Sequence, residues 1–93
     1  MAKELSERGM VGEVEPHSSG LGGTQRRYRF ANGYGASIIT GMYTMGADYE
    51  LAVLSPDGKL SYDTHVTSDV ERGDAARMNE LLAAIEALPE AKP

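Results

Sequence analysis

Histidine, serine, arginine and clustered carboxylates are the residues of this chain that could carry chemistry, and their spacing decides which chemistry. His17 sits among glycines and serines, with Glu13 and Glu15 as its nearest carboxylates; His65 has Asp63 and Asp69. A catalytic or metal-binding histidine needs companions held by fixed structure. Neither segment supplies them, so both read as surface histidines. Ser37 follows Gly33-Tyr34-Gly35-Ala36, a strand-like stretch rather than the strand-to-helix elbow that presents a nucleophilic serine. Gly20-Leu21-Gly22-Gly23 and Gly33-Tyr34-Gly35 lead into no helix whose N-terminus would hold a phosphate. Asp63, Asp69, Glu71 and Asp74 lack the alternating ligands of a calcium loop. No catalytic group, metal or cofactor is expected, and no enzyme.

Surfaces for binding remain. Arg26-Arg27-Tyr28-Arg29-Phe30 is basic and interleaved with aromatic rings, a pattern that serves single-stranded nucleic acid by holding phosphates on arginine and stacking bases on rings. Strand alternation, however, puts Tyr28 and Phe30 on the face opposite Arg27 and Arg29, and a net charge of −5 opposes a polyanion. Arg26, Arg27 and Arg29 are therefore expected to pair with the acidic half of the chain. That half is distinct: residues 1–44 hold five basic and four acidic side chains, residues 45–93 four basic and ten acidic. The acids Asp63, Asp69 and Glu71 form a candidate face for a basic partner. Met42, Tyr43 and Met45, in a glycine-rich connection, offer flexible thioethers and a ring suited to adaptable contact.

The elements that must position these groups follow from hydrophobic period and turn chemistry. Asn32-Gly33 between two β-prone runs is a strong hairpin signal, read as a two-residue turn between strands at 24–31 and 34–40. That turn pairs Ala31 with Tyr34, Phe30 with Gly35 and Tyr28 with Ser37, and lets the Phe30 ring cover Gly35. A longer loop reverses the faces. Leu51-Ala52-Val53-Leu54 is apolar on both faces, which places a strand at 49–55 inside the sheet. Ser55-Pro56-Asp57-Gly58 reads as a turn into a further strand at 59–63, followed by a polar connection over 64–73. Asp74 caps a helix over 75–88, whose Ala75, Met78, Leu81, Leu82, Ile85 and Leu88 form one apolar stripe, and Pro89 stops it. The fold class is α+β: an antiparallel meander of about four strands with one C-terminal helix packed on one face. Residues 1–23, broken by glycines, read as a flexible arm in which Val11 and Val14 could form a short edge strand; 24–89 form the domain and 90–93 a tail.

There is no cysteine, hence no disulfide or thiolate metal site. The N-terminus is polar, and the longest apolar run, Leu81-Leu82-Ala83-Ala84-Ile85, is far short of a membrane span. A soluble, cytoplasmic protein is expected, and an exposed sheet edge leaves open a homodimer formed by strand pairing.

Asn32-Gly33-Tyr34-Gly35-Ala36-Ser37-Ile38-Ile39, then Tyr49-Glu50-Leu51-Ala52-Val53-Leu54, Asp57-Gly58 and Tyr62-Asp63-Thr64-His65-Val66-Thr67-Ser68-Asp69-Val70 resemble, in that order, a group of small bacteriophage-encoded proteins. The resemblance spans about residues 28–70 and continues into a leucine-rich helix, although Glu71-Arg72-Gly73 interrupts the apolar continuation usual after the Asp-Val pair. It implies no activity. It does imply a structural role for residues 62–70, where Asp63, Thr64, Thr67 and Asp69 would satisfy backbone donors around a strand-to-helix turn. The function expected is that of a non-enzymatic phage accessory protein. It would bind a host protein in the bacterial cytoplasm, for host takeover or to inhibit a defence system such as a CRISPR effector. The alternative is a nucleic-acid-binding regulator using residues 26–30.

Overall fold

A computed structural model describes residues 4–16, 22–41, 48–60 and 70–90. Among the described residues, five strands form one antiparallel sheet in sequence order: β1 (Glu15–Pro16), β2 (Thr24–Arg29), β3 (Gly35–Ile39), β4 (Tyr49–Leu54) and β5 (Glu71–Gly73). One helix, α1 (Ala75–Glu86), follows β5 directly. The fold is α+β, with one strand more than the sequence suggests. Two differences produce that count. The chain pairs with β2 at Glu15–Pro16, and β5 forms at Glu71–Gly73, inside the stretch expected to be a polar connection. Of the strand expected at 59–63, Leu60 forms an isolated bridge with Leu54; residues 61–63 lie outside the described residues.

The hairpin corner is a three-residue loop rather than the expected two-residue turn. The Gly33 N–H donates to Phe30 O at 3.0 Å and the Phe30 N–H to Tyr34 O at 2.8 Å, with Gly33 at φ 92°. A turn followed by one left-handed residue suits a single glycine. The register therefore pairs Tyr28 with Ala36 and Arg27 with Ser37, one place away from the expected pairing. Burial explains the outcome. This register gathers Tyr28, Ala36, Ile38, Leu51 and Val53 on one face, each 0–1% exposed. The shifted one would have set Tyr28 beside Ser37 and left Ile38 on the other side. Phe30 also does not cover Gly35. Its ring packs over Gly9, where a Cβ would lie 2.6 Å from the ring, while a Cβ on Gly35 would strike the Tyr28 carbonyl oxygen.

The helix forms as its period dictates. Asp74 is extended, at φ −86° and ψ −178°, and its carboxylate accepts the Arg77 N–H at 2.9 Å. Ala75, Met78, Leu81, Leu82, Ile85 and Leu88 are all buried against the sheet, while Glu80, Ala83 and Ala87 face outward. The last turn contains no basic residue. Asn32, from the hairpin corner, takes that place: its Nδ2 lies 2.8 Å from Ile85 O, 3.0 Å from Leu88 O and 3.2 Å from Glu86 O, and its Oδ1 accepts the Tyr34 N–H at 3.0 Å. Carbonyls that a helix leaves unpaired at its C-terminus thus find a donor.

The segment expected to be a flexible arm is docked over residues 4–16. Leu5 is buried in the core. Asn79, on the helix, accepts the Ser6 N–H at 2.7 Å and donates to Glu4 O at 3.0 Å, and the Tyr28 hydroxyl donates to Ser6 O at 2.6 Å. Beyond it, Arg29 N–H donates to Gly9 O and Val11 N–H to Arg27 O, so the chain continues along the outer side of β2. Leu5 and these bonds offset the ordering cost that the glycine-rich composition imposes.

Two unfolding measurements test this account. Ile85→Ala should lower urea-unfolding stability by about 2–5 kcal/mol, as expected for truncating a fully buried side chain. Asn32→Asp should cost about 1–3 kcal/mol, because it replaces a donor with a negative charge facing helix carbonyls.

Candidate functional site

The register that fills the core also decides what the opposite face presents. Across the sheet, Arg29 is level with Gly35 and Leu54, Arg27 with Ser37 and Ala52, and Gln25 with Ile39, Glu50 and Arg72. The helix lies on the other side, and no described element covers this face. Arg27 and Arg29 stand beside small residues, and Leu54 and Leu60 rise beyond them. The result is a groove of about 610 Å³, lined by Val11, Arg27, Arg29, Ser37, Leu54 and Leu60 among others. Val11 and Leu60 are 54% and 52% exposed, two of the three large apolar side chains left open to solvent among the described residues.

The two arginines are held differently. Arg29 donates through Nη1 to Gly33 O at 2.7 Å and to Ser55 O at 3.1 Å, which ties the hairpin corner to the end of β4. Arg27 is exposed and forms no ion pair among the described residues. The expected pairing of the hairpin arginines with the acidic half does not occur there. Glu50, Glu71 and Glu86 are taken instead by Arg72 at 2.8 Å, Arg77 at 3.6 Å and Arg8 at 2.7 Å. The reason is placement. Strands β3 and β4 separate β2 from Glu71 on β5, about 14 Å at the usual spacing between strands; Glu50 lies directly across from Arg72 on the neighbouring strand, and Glu86, on α1, lies on the other side of the sheet from Arg27 and Arg29.

One end of the groove is the turn after β4. Its Asp57 carboxylate accepts from the Ser55 hydroxyl and from the Lys59 N–H at 3.0 Å, while the Gly58 N–H donates to Ser55 O. These bonds favour the charged form, chiefly through the Ser55 hydroxyl, and hold the Asp57 carboxyl below the ordinary aspartate value. On β2, burial pushes the Tyr28 phenol above its ordinary value, and the neighbouring Arg26 partly offsets this. Arg26 is thus set apart from Arg27 and Arg29, on the helix side of the sheet.

Of the residues singled out for contact, Met42, Tyr43, Met45, Asp63 and Asp69 lie outside the described residues, as do His17 and His65. Glu71 lies on β5, half-buried and paired with Arg77. Ser37 accepts a hydrogen bond from the Gln25 amide at 3.1 Å, and an amide is no general base. Among the described residues, no three His, Cys, Asp or Glu side chains gather into a metal site, and no helix is long and apolar enough to cross a membrane. The rings of Tyr28 and Phe30 stack on each other with centroids 6.4 Å apart, inside the core, at 1% and 6% exposure. They offer no platform for bases. Sequence reasoning separated these rings from Arg27 and Arg29, but it missed the contributions of Val11, Leu54 and Leu60. Those residues meet only through pairing across the sheet, and no local pattern marks them.

No family model, curated protein or solved structure matches the chain.

The turn at the groove's end gives a direct prediction. A carboxyl depressed in the folded state contributes stability above its unfolded pKa and loses it as pH falls through the folded value. The Asp57 carboxyl, followed by NMR, should therefore titrate below ordinary aspartate, and Ser55→Ala should return its midpoint toward the ordinary value.

Proposed function

We propose that this protein acts by binding a partner protein and catalyses no reaction. The observation that carries the reading is a sheet face that no described element covers, where exposed Val11 and Leu60 flank a groove holding two arginines. A monomer gains nothing in stability from leaving such side chains in water, whereas a bound partner removes them from it. The resemblance to small phage proteins suggests a partner in the bacterial host, bound for host takeover or to inhibit a defence system. Under this reading the protein works in the host cytoplasm.

A second reading, a nucleic-acid-binding regulator, draws on Arg27 and Arg29 lying side by side on that open face. It is the weaker one, because the neighbouring rings are buried and the chain carries a net charge of −5.

Affinity capture from bacterial host lysate with the full chain tests both. A host protein should be retained reproducibly, at stoichiometric levels, and with nuclease treatment making no difference. Loss of every retained protein after nuclease treatment, together with a gel shift at low salt that weakens steeply as salt rises, would favour the second reading. Absence of any partner alongside detectable turnover would defeat the first.

A further inference from the structure

The chemistry of the groove goes further and selects a kind of partner. We infer that it takes a segment of the partner protein that presents carboxylates and apolar side chains together on one face. This rests on the protein-binding reading above and adds the site and its specificity.

Three observations point to that occupant. First, the groove is basic within an acidic molecule: the chain's net charge is −5, yet Arg27 and Arg29 line the groove, while Asp57, in the turn at its end, is engaged with the Ser55 hydroxyl and the Lys59 N–H. Second, Arg27 forms no ion pair among the described residues, while the carboxylates of Glu50, Glu71 and Glu86 are held by Arg72, Arg77 and Arg8. Third, the cations are bordered by apolar side chains on both sides, Val11 along β2 and Leu54 with Leu60 beyond β3.

An extended segment suits this layout because every second side chain points to the same side, about 6.6 Å apart, so carboxylates and apolar groups at alternate positions share the face that meets the groove. Carboxylates can then reach Arg27 and the unused nitrogens of Arg29, while neighbouring apolar groups cover Val11 and Leu60. Arg29 is already held by Gly33 and Ser55, so its guanidinium is oriented before a ligand arrives and little further ordering is needed. A nucleic acid fits less well. It carries a charge about every 1.7 Å of duplex axis and would face an acidic molecule beyond two arginines, and it would gain nothing from the apolar borders.

Fluorescence polarisation with the full chain tests the inference. The probes are a short labelled peptide with aspartate, valine and leucine at every second position and serine between them, its twin with lysine for aspartate, and a labelled single-stranded oligonucleotide. The aspartate peptide should saturate and the lysine twin should not. Arg27→Glu should weaken binding about tenfold or more, since it sets like charges against each other, and Leu60→Ser should weaken it about threefold through lost apolar cover. Neither exposed substitution should alter the unfolding midpoint.

Equal binding of the two peptides would overturn the inference, as would unchanged binding in Arg27→Glu. An oligonucleotide that displaces the peptide would assign the groove to nucleic acid instead. A dimer that Arg27→Glu dissolves in sedimentation would assign it to a second copy of the chain. A host protein retained equally by the parent chain and Arg27→Glu would remove the groove as the site while leaving protein binding intact. Loss of every host partner would remove both.

Discussion

The pairing of Tyr28 with Ala36 decides which side chains of the β2–β3 hairpin face the helix. A strand's side chains alternate strictly, so a slip of one residue would exchange the two faces. In the observed register the sheet offers Tyr28, Ala36, Ile38, Leu51 and Val53 to the apolar stripe of α1. The same constraint sends Arg27, Arg29 and Ser37 to the other side. The core and the candidate binding face are thus two consequences of one alignment, and neither can be changed without the other.

Two asparagines hold that alignment to the rest of the molecule. Asn32 joins the hairpin corner to the C-terminus of α1, more than fifty residues away in sequence. Asn79 clamps the backbone of residues 4–6 against the helix with both its oxygen and its nitrogen. Each amide supplies a donor and an acceptor at once, which suits backbone groups left over at the end of a helix or along a segment with no strand partner. Leu5, Gly9 and Met10 then bring the chain onto Tyr28 and Phe30, so β2 has partners on both sides.

Charge is organised with equal economy. Cations in contact with the acids of β4, β5 and α1 pair with them, and Arg27 and Arg29 of β2 form no ion pair with those acids. At physiological salt, charges separated by more than about 8 Å are largely screened in water. An acidic chain can therefore carry a basic groove without collapse of one onto the other, and the apolar side chains bordering that groove give it a second means of recognition.

The sequence by itself determined whatever depends on near neighbours. The stripe from Ala75 to Leu88, the Asp74 cap and the existence of a hairpin at Asn32-Gly33 all follow from period and turn chemistry. So do the interior position of Leu51 to Leu54 and the separation of the rings from Arg27 and Arg29. Only the tertiary structure decided the rest. The length of the corner loop was settled by which register buries Ile38 with Tyr28, and the docking of residues 4–16 by Leu5 and Asn79. The assembly of Val11, Leu54 and Leu60 around the arginines was settled by cross-strand pairing. In each case the deciding partner lies far along the chain, so the energy that selects the arrangement exists only once the sheet and helix have come together.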